Sequence, residues 1–275
     1  VVESLKHLIL SGLLFLPASL FAERLSALPQ GIFGPKRTLV WYMNFDENNG
    51  AKTVSVTGRS TGTLTDGAAW VTGLHGSGVH FSGGAERVLV WPSAPMEFIT
   101  AGSTFTLGVV YRSIRQPIGP FISRMQSFGN LGWAFGTTTD AVGDFFFYAR
   151  RKNTSSGGTL DKMVSGVVPR QKSGGNRWHL ALFDHSSKSS MTITAADSGM
   201  FLDCDELFPL SGTITLQYNR DEIVISSMTS VGVHIGGTGG GFTGDIDMAF
   251  ALSGHGQPKL TEADVCRAYS LIFGL

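Results

Sequence analysis

From residue 39 to residue 252 apolar and polar positions alternate with a period of two, in short runs separated by glycine and Asx-rich turns. That period marks strands with one face on a core. It predicts strands at Leu39–Phe45, Gly62–Leu64, Ala69–Val71, Gly78–Phe81, Val88–Trp91, Phe105–Tyr111, Pro120–Arg124, Trp133–Thr137 and Asp144–Arg150. Trp178–Asp184 and Ser190–Ala195 read as a hairpin around His185–Lys188, and Ile214–Tyr218, Ile223–Ser226 and Val231–Ile235 follow. The last strand is the longest. Its alternation sets Phe242, Gly244, Ile246, Met248 and Phe250 on one side, and Thr243, Asp245, Asp247, Ala249 and Ala251 on the other. The glycine-rich run at 236–241 ends whatever precedes it. A helix is expected over Thr261–Tyr269. Thr261 suits its N-cap, Glu262 and Asp264 suit the positive end of its dipole, and Val265, Ala268 and Tyr269 share a face.

Residues 1–38 break the pattern. Leu8–Leu16 is an apolar run behind Lys6 and His7, with small residues near Ala22 and prolines at 17, 29 and 35. The run is shorter than the roughly 20 residues needed to span a bilayer. Two expectations compete: a retained, partly helical arm, or a cleaved secretory signal ending near Ala22. On the first, Leu10, Leu13, Leu14, Phe15 and Phe21 carry more apolar surface than one helix can bury on itself, so they would bind a partner. The expected organisation is an arm and linker over 1–38 and one domain over 39–275. Many strands and little helix make that domain an all-β, two-sheet antiparallel sandwich with a short C-terminal helix.

Composition narrows the partners. Lys+Arg and Asp+Glu both number 21, and charged residues are 15% of 275, so no basic surface advertises nucleic acid. Arg150, Arg151 and Lys152 read as a solvated strand end. Low charge gives little repulsion between copies, which suits a homo-oligomer or multi-copy assembly. Cys204 and Cys266 allow one disulfide and supply no metal-binding spacing.

Four segments resemble the laminin-G-like, concanavalin A-like jelly rolls, in that family's order. They are Val40–Gly50 with its acidic turn, the glycine-punctuated stretch Gly62–Gly83, the Trp-His strand Asn176–Leu182, and Phe242–Asp247 followed by Leu260–Val265. The resemblance covers about residues 39–270 and implies the jelly-roll fold. It does not imply one function, because this sandwich carries lectins, adhesion modules, glycosidases and virion proteins.

The candidate sites follow from chemistry. Glycosidases on this fold resemble one another in a Glu-x-Asp-x-x-Glu strand, whose carboxyl groups must stand about 5–5.5 Å apart for retention. Here the counterpart is Gly244–Ala249, with Asp245 and Asp247 but neither glutamate, so no catalytic residues are assigned. His75, His80, His179 and His185 have no nucleophile motif beside them, and His179 next to Trp178 reads as structural. No metal ligands or cofactor are assigned; Asp46, Glu47, Asn48 and Asn49 are the oxygen-rich turn that calcium would use. Of Trp41, Trp70, Trp91, Trp133 and Trp178, most are expected in the core, and Trp91, before Pro92, is the first candidate for a rim. The resulting expectation is a non-enzymatic structural or interaction protein on a virion surface, a phage capsid decoration or fibre component, joined to other virion proteins by its arm. The alternative is a secreted or periplasmic lectin-like module that binds surface glycans.

Overall fold

The computed structural model describes residues 32–83, 86–91, 103–114, 119–125, 132–137, 144–151, 159–165, 173–186, 192–215, 229–231, 242–254 and 256–275. The arm, with Leu10, Leu13, Leu14, Phe15 and Phe21, lies outside them, as do the strand expected at Ile223–Ser226 and the side chains of Arg150, Arg151 and Lys152.

The strands in chain order are β1 (Thr38–Met43), β2 (Lys52–Val54), β3 (Thr61–Thr65), β4 (Ala69–Thr72), β5 (Ser77–Ser82) and β6 (Arg87–Trp91). Then come β7 (Phe105–Arg112), β8 (Gly119–Met125), β9 (Gly132–Thr137), β10 (Phe145–Arg151), β11 (Thr159–Val164) and β12 (Trp178–His185). The rest are β13 (Thr192–Thr194), β14 (Ser198–Leu202), β15 (Asp205–Glu206), β16 (Thr213–Thr215), β17 (Thr229–Val231) and β18 (Thr243–Ser253), before the helix α1 (Glu262–Phe273). One sheet runs β15-β14-β12-β7-β18-β5-β4, with β1 also on β18. The second runs β11-β10-β9-β8-β17-β6-β3-β2. All pairings are antiparallel, so the expected all-β sandwich is what forms.

The core between the sheets is aromatic. Phe105, Phe121, Phe135, Phe147, Phe183 and Tyr111 are fully buried there. Phe147 stacks on Phe183 with ring centroids 4.3 Å apart. A second cluster lies on the other side of the first sheet, where Val110, Leu180, Leu182, Met248 and Phe250 meet Val265, Ala268 and Ile272 of α1 and, from the linker, Ile32 and Phe33. The first sheet is therefore covered on both faces.

Helix α1 forms where its caps predict. The Thr261 hydroxyl accepts from the Asp264 N–H and the Asp264 side chain accepts from the Thr261 N–H, a capping box. Desolvation opposes ionisation of Asp264, but bonds from Lys36 and Thr261 outweigh it and hold the carboxyl down to about 2. Gly274, at φ 69°, closes the far end in the left-handed conformation that glycine adopts without penalty. Cys204 and Cys266 form a disulfide that ties the helix to the turn after β14.

Two expectations are corrected. β12 does not pair with the Ser190–Ala195 segment: its neighbours are β7 and β14, and β13 pairs instead with β16 in a small separate sheet. The alternation of β18 also fails half-way. Phe242, Ile246, Ala249 and Ala251 face the inter-sheet core, whereas Met248, Phe250 and Leu252 face α1. The cause is a register shift against β7, where Ile246 opposes Tyr111 but Met248 opposes Val110. Asp247 is the extra residue of a β-bulge, and one inserted residue exchanges the faces of everything beyond it.

Candidate functional site

The bulge at Asp247 coincides with a gap on the opposite edge of β18. Thr243–Ile246 pair with β5 and Ala249–Ser253 pair with β1, which leaves Asp247 between the two partners. Into this gap run the segment that leaves β1 through Asn44–Asp46 and the loop Gly73–Gly76 that enters β5. Asp247 Oδ1 accepts from the Leu74 N–H at 2.6 Å and the His75 N–H at 3.2 Å. Its Oδ2 is buried and has no partner among the described residues. Asp46 faces the same loop: Oδ1 accepts from the Ser77 N–H at 3.4 Å, and Oδ2 from the Asn44 amide at 2.6 Å.

Two glycines make the close approach possible. A Cβ on Gly73 would overlap Asp247 Oδ1, and one on Gly76 would overlap Asp46 Oδ1; Gly76 is also at φ +76°. The loop is pinned further by His75, whose Nε2 lies 2.5 Å from the Ile272 carbonyl near the end of α1.

The electrostatics are those of two carboxyl groups whose pKa values are both raised. Burial pushes Asp247 up to about 7, the loop N–H groups and Arg112 lower it, and Asp46 raises it again. Asp46 is also raised, chiefly by burial. Burial, then Asp247 and Asp46, push the Tyr42 hydroxyl well above its usual range. A buried acceptor with no donor, next to a second carboxylate, fits a hard cation such as calcium. Among the described residues no three His, Cys, Asp or Glu side chains converge as metal ligands. A cation here would complete its shell from main-chain oxygens and water. Of the acidic turn at 46–49, only Asp46 points to this place: Glu47 instead accepts from the Val54 N–H at 2.7 Å and closes the turn.

Asp245 has a different environment. Trp178, Arg112, Asp245 and His80 occupy directly opposed positions on β12, β7, β18 and β5. Arg112 donates to Asp245 Oδ2 from Nε at 2.9 Å and Nη2 at 2.6 Å. His80 Nδ1 lies 2.7 Å from Asp245 Oδ1. The Arg112 guanidinium also lies over the Trp178 ring, 4.7 Å from its centroid. Asp245 and Asp247 thus have separate partners, and Asp247 keeps one oxygen unbonded among the described residues.

The other two candidate histidines, His179 and His185, lie inside the sandwich. His179 is buried, its Nδ1 lies 3.0 Å from Asp203 Oδ2, its Nε2 lies 3.1 Å from the Gly174 carbonyl, and its ring stacks on Tyr111. His185 is buried beside Ser198 and Phe105. Trp41 and Trp133 are core, while Trp91 is 53% exposed at the end of β6. Sequence reasoning missed the role of His75 and of Gly73 and Gly76. A Gly-x-x-Gly spacing ahead of a strand is the only local trace of them, and it names no carboxylate.

The fold is an antiparallel two-sheet β-sandwich with a short C-terminal helix. No family model matches the chain, and no curated protein sequence matches it. Solved structures do. Domain 4 of AbnA, an extracellular arabinanase from Geobacillus stearothermophilus crystallised with arabinotriose, is similar over 85% of this chain and 99% of its own, with TM-score 0.55 and 13% identity. The binding domain of Paraclostridial Mosquitocidal Protein 1 matches over 84% of this chain and 52% of its own, with TM-score 0.56 and 12% identity. The binding domain of botulinum neurotoxin serotype C1 matches over 88% and 53%, with TM-score 0.52 and 11% identity. The chain thus spans about half of each toxin domain and the whole of the arabinanase domain. At these identities the likeness establishes the fold.

Proposed function

We propose that this chain is a non-catalytic binding module whose sandwich recognises carbohydrate. What supports the non-catalytic part is Asp245, whose oxygens are both taken, Oδ2 by Arg112 and Oδ1 by His80, so that it is not free to act with Asp247 as a carboxyl pair about a glycosidic bond. The carbohydrate part is supported by the company the fold keeps. A domain of nearly the same extent was solved with arabinotriose, and cell entry of botulinum neurotoxin type C, another similar structure, is dependent upon interaction with two ganglioside molecules. A cation held by Asp46 and Asp247 would brace the loop at 73–77 rather than act on a bond. On a printed array of neutral and acidic glycans the full chain retains at least one class and releases no reducing sugar from it. An array without retained glycan, with and without calcium, overturns the reading, as does hydrolysis lost on Asp245→Asn.

A second reading concerns where the module is displayed: on a virion or similar particle, held by the apolar arm at 1–38. It is favoured by the way the linker end of that segment, residues 32–37, is fastened. Ile32 and Phe33 are buried under α1, Lys36 Nζ lies 2.7 Å from Asp264 Oδ2, and Arg37 is buried in an ion pair. A pull on the arm would be borne by the sandwich and not by a loose linker. A chain lacking residues 1–30 is expected to fold and to lose incorporation into its assembly, read by co-sedimentation. Normal incorporation of that chain removes the arm from the mechanism.

A further inference from the structure

We infer that the cross-strand row of Trp178, Arg112, Asp245 and His80 is the surface that contacts the glycan. This rests on the reading of the chain as a carbohydrate-binding module and says where on the sandwich that binding happens. The four residues stand at opposed register positions on four adjacent strands. With strands about 4.8 Å apart, the row is about 14 Å long, the scale of a short oligosaccharide and not of a single ion.

The chemistry matches a sugar on three counts. A saccharide presents flat C–H faces and hydroxyl groups that both donate and accept, so its receptor needs an aromatic surface and fixed polar groups of both kinds. The row supplies a carboxylate, a guanidinium and an imidazole, with the half-buried Trp178 indole beneath the guanidinium. Second, those groups are held in place before any ligand arrives. Asp245 is gripped from both sides, and Arg112 is clamped between Asp245, the Trp178 ring and, at 3.5 Å from Nη2, the Thr72 carbonyl. Little side-chain entropy is left to lose on binding. Third, the grip does not consume the whole hydrogen-bonding capacity. Among the described residues Arg112 bonds through Nε and Nη2, and His80 through Nδ1. Arg112 Nη1 and His80 Nε2 therefore remain for a ligand, flanking the carboxylate.

Exposure separates this row from a purely structural ladder. The side chain of His80 is 45% exposed and that of Arg112 is 29% exposed, while Asp245, at 13%, forms the floor. Much of this face is covered by α1, and among the described residues the row lies beyond the part that the helix covers. Trp91 is the competing surface. Its indole is more exposed, but its neighbours in the cross-strand row are Thr61 and Val54, which offer one hydroxyl and no charged group. It serves as the control.

The test uses the full chain and the glycan most strongly retained on the array, titrated by calorimetry. Arg112→Ala and His80→Asn are each expected to weaken binding at least about tenfold, a loss on the order of 1.4 kcal/mol. Arg112→Lys keeps the charge but not the planar fork, and is expected to weaken binding as well. Trp91→Ala is expected to bind within about twofold of the parent. Thermal melts accompany each variant; if Arg112→Ala unfolds, His80→Asn decides, because the half-exposed imidazole can be exchanged without opening the core. Unchanged affinity in His80→Asn and Arg112→Lys, or loss confined to Trp91→Ala, overturns this location while the module reading stands. If the parent chain retains no glycan at all, the module reading fails and this inference falls with it.

Discussion

Arg37→Ala is expected to lower the unfolding free energy by about 3–5 kcal/mol, the cost of leaving a buried charge without its partner. Both members of the Arg37–Asp184 pair are fully buried side chains. Arg37 Nη2 lies 2.8 Å from Asp184 Oδ1 and 2.9 Å from Oδ2, and Nε reaches the Thr106 hydroxyl at 2.9 Å. Its remaining N–H groups donate to the Lys36 and Pro258 carbonyls, while Asp184 also accepts from Thr106 and from the Leu260 N–H. The network thus joins the linker before β1 to β7, to β12 and to the segment before α1. Removing Arg37 leaves Asp184 charged and dry. Urea unfolding read by tryptophan fluorescence measures the loss. The double variant Arg37→Met with Asp184→Leu is expected to regain most of it, since neither charge then needs solvation. If Arg37→Ala costs less than about 1 kcal/mol, the network does not hold the linker.

Asp247→Asn is expected to do the opposite at neutral pH. Because the folded-state pKa of Asp247 is raised from 3.8 to about 7, the native state holds a proton that the unfolded chain has already released. Stability from this group is therefore greatest below about pH 4, declines as pH rises towards 7, and is level above it. A shift of this size corresponds to a penalty on the order of 4 kcal/mol at pH 8. In chelator-treated protein Asp247→Asn should remove that penalty and flatten the profile between pH 5 and 8. The amide keeps an oxygen for the Leu74 and His75 N–H groups. Calcium should act at the same place from the other side. A cation held by Asp46 and Asp247 would need the pair ionised, so calcium should raise the melting temperature of the parent chain at pH 8 and have little effect at pH 5. Asp247→Asn should abolish the calcium response. Equal melting temperatures with calcium and with chelator at pH 8 would leave the pair as a bare, destabilising contact.

The two predictions differ in how far the sequence foretold them. Asp46 and Asp247 were both singled out from sequence, one as a calcium-type turn ligand and one as half of a carboxylate pair. Neither was expected to face the other, 201 positions apart. Nothing marked Arg37 as buried, because a lone arginine after Pro35 and Lys36 reads as linker. Its partner Asp184 sits at the end of a regular strand, where a polar residue is unremarked.

By itself the sequence determined the class of fold. The two-residue period of β1, β7, β9, β10 and β12, the glycine-marked turns and the capping box of α1 are local properties, readable because each depends only on neighbours along the chain. Only the tertiary structure decided which strands pair, which is why β12 joins β14 across the Thr192–Thr194 excursion. It alone decided where the alternation of β18 resets, because a bulge answers to the partner strand and leaves no mark on the bulged one. That single inserted residue turned Asp247 into the gap between β1 and β5, and strand register aligned Trp178, Arg112, Asp245 and His80 across four strands. Both sites come from contacts between residues distant in sequence, and those are settled by packing rather than by local propensity.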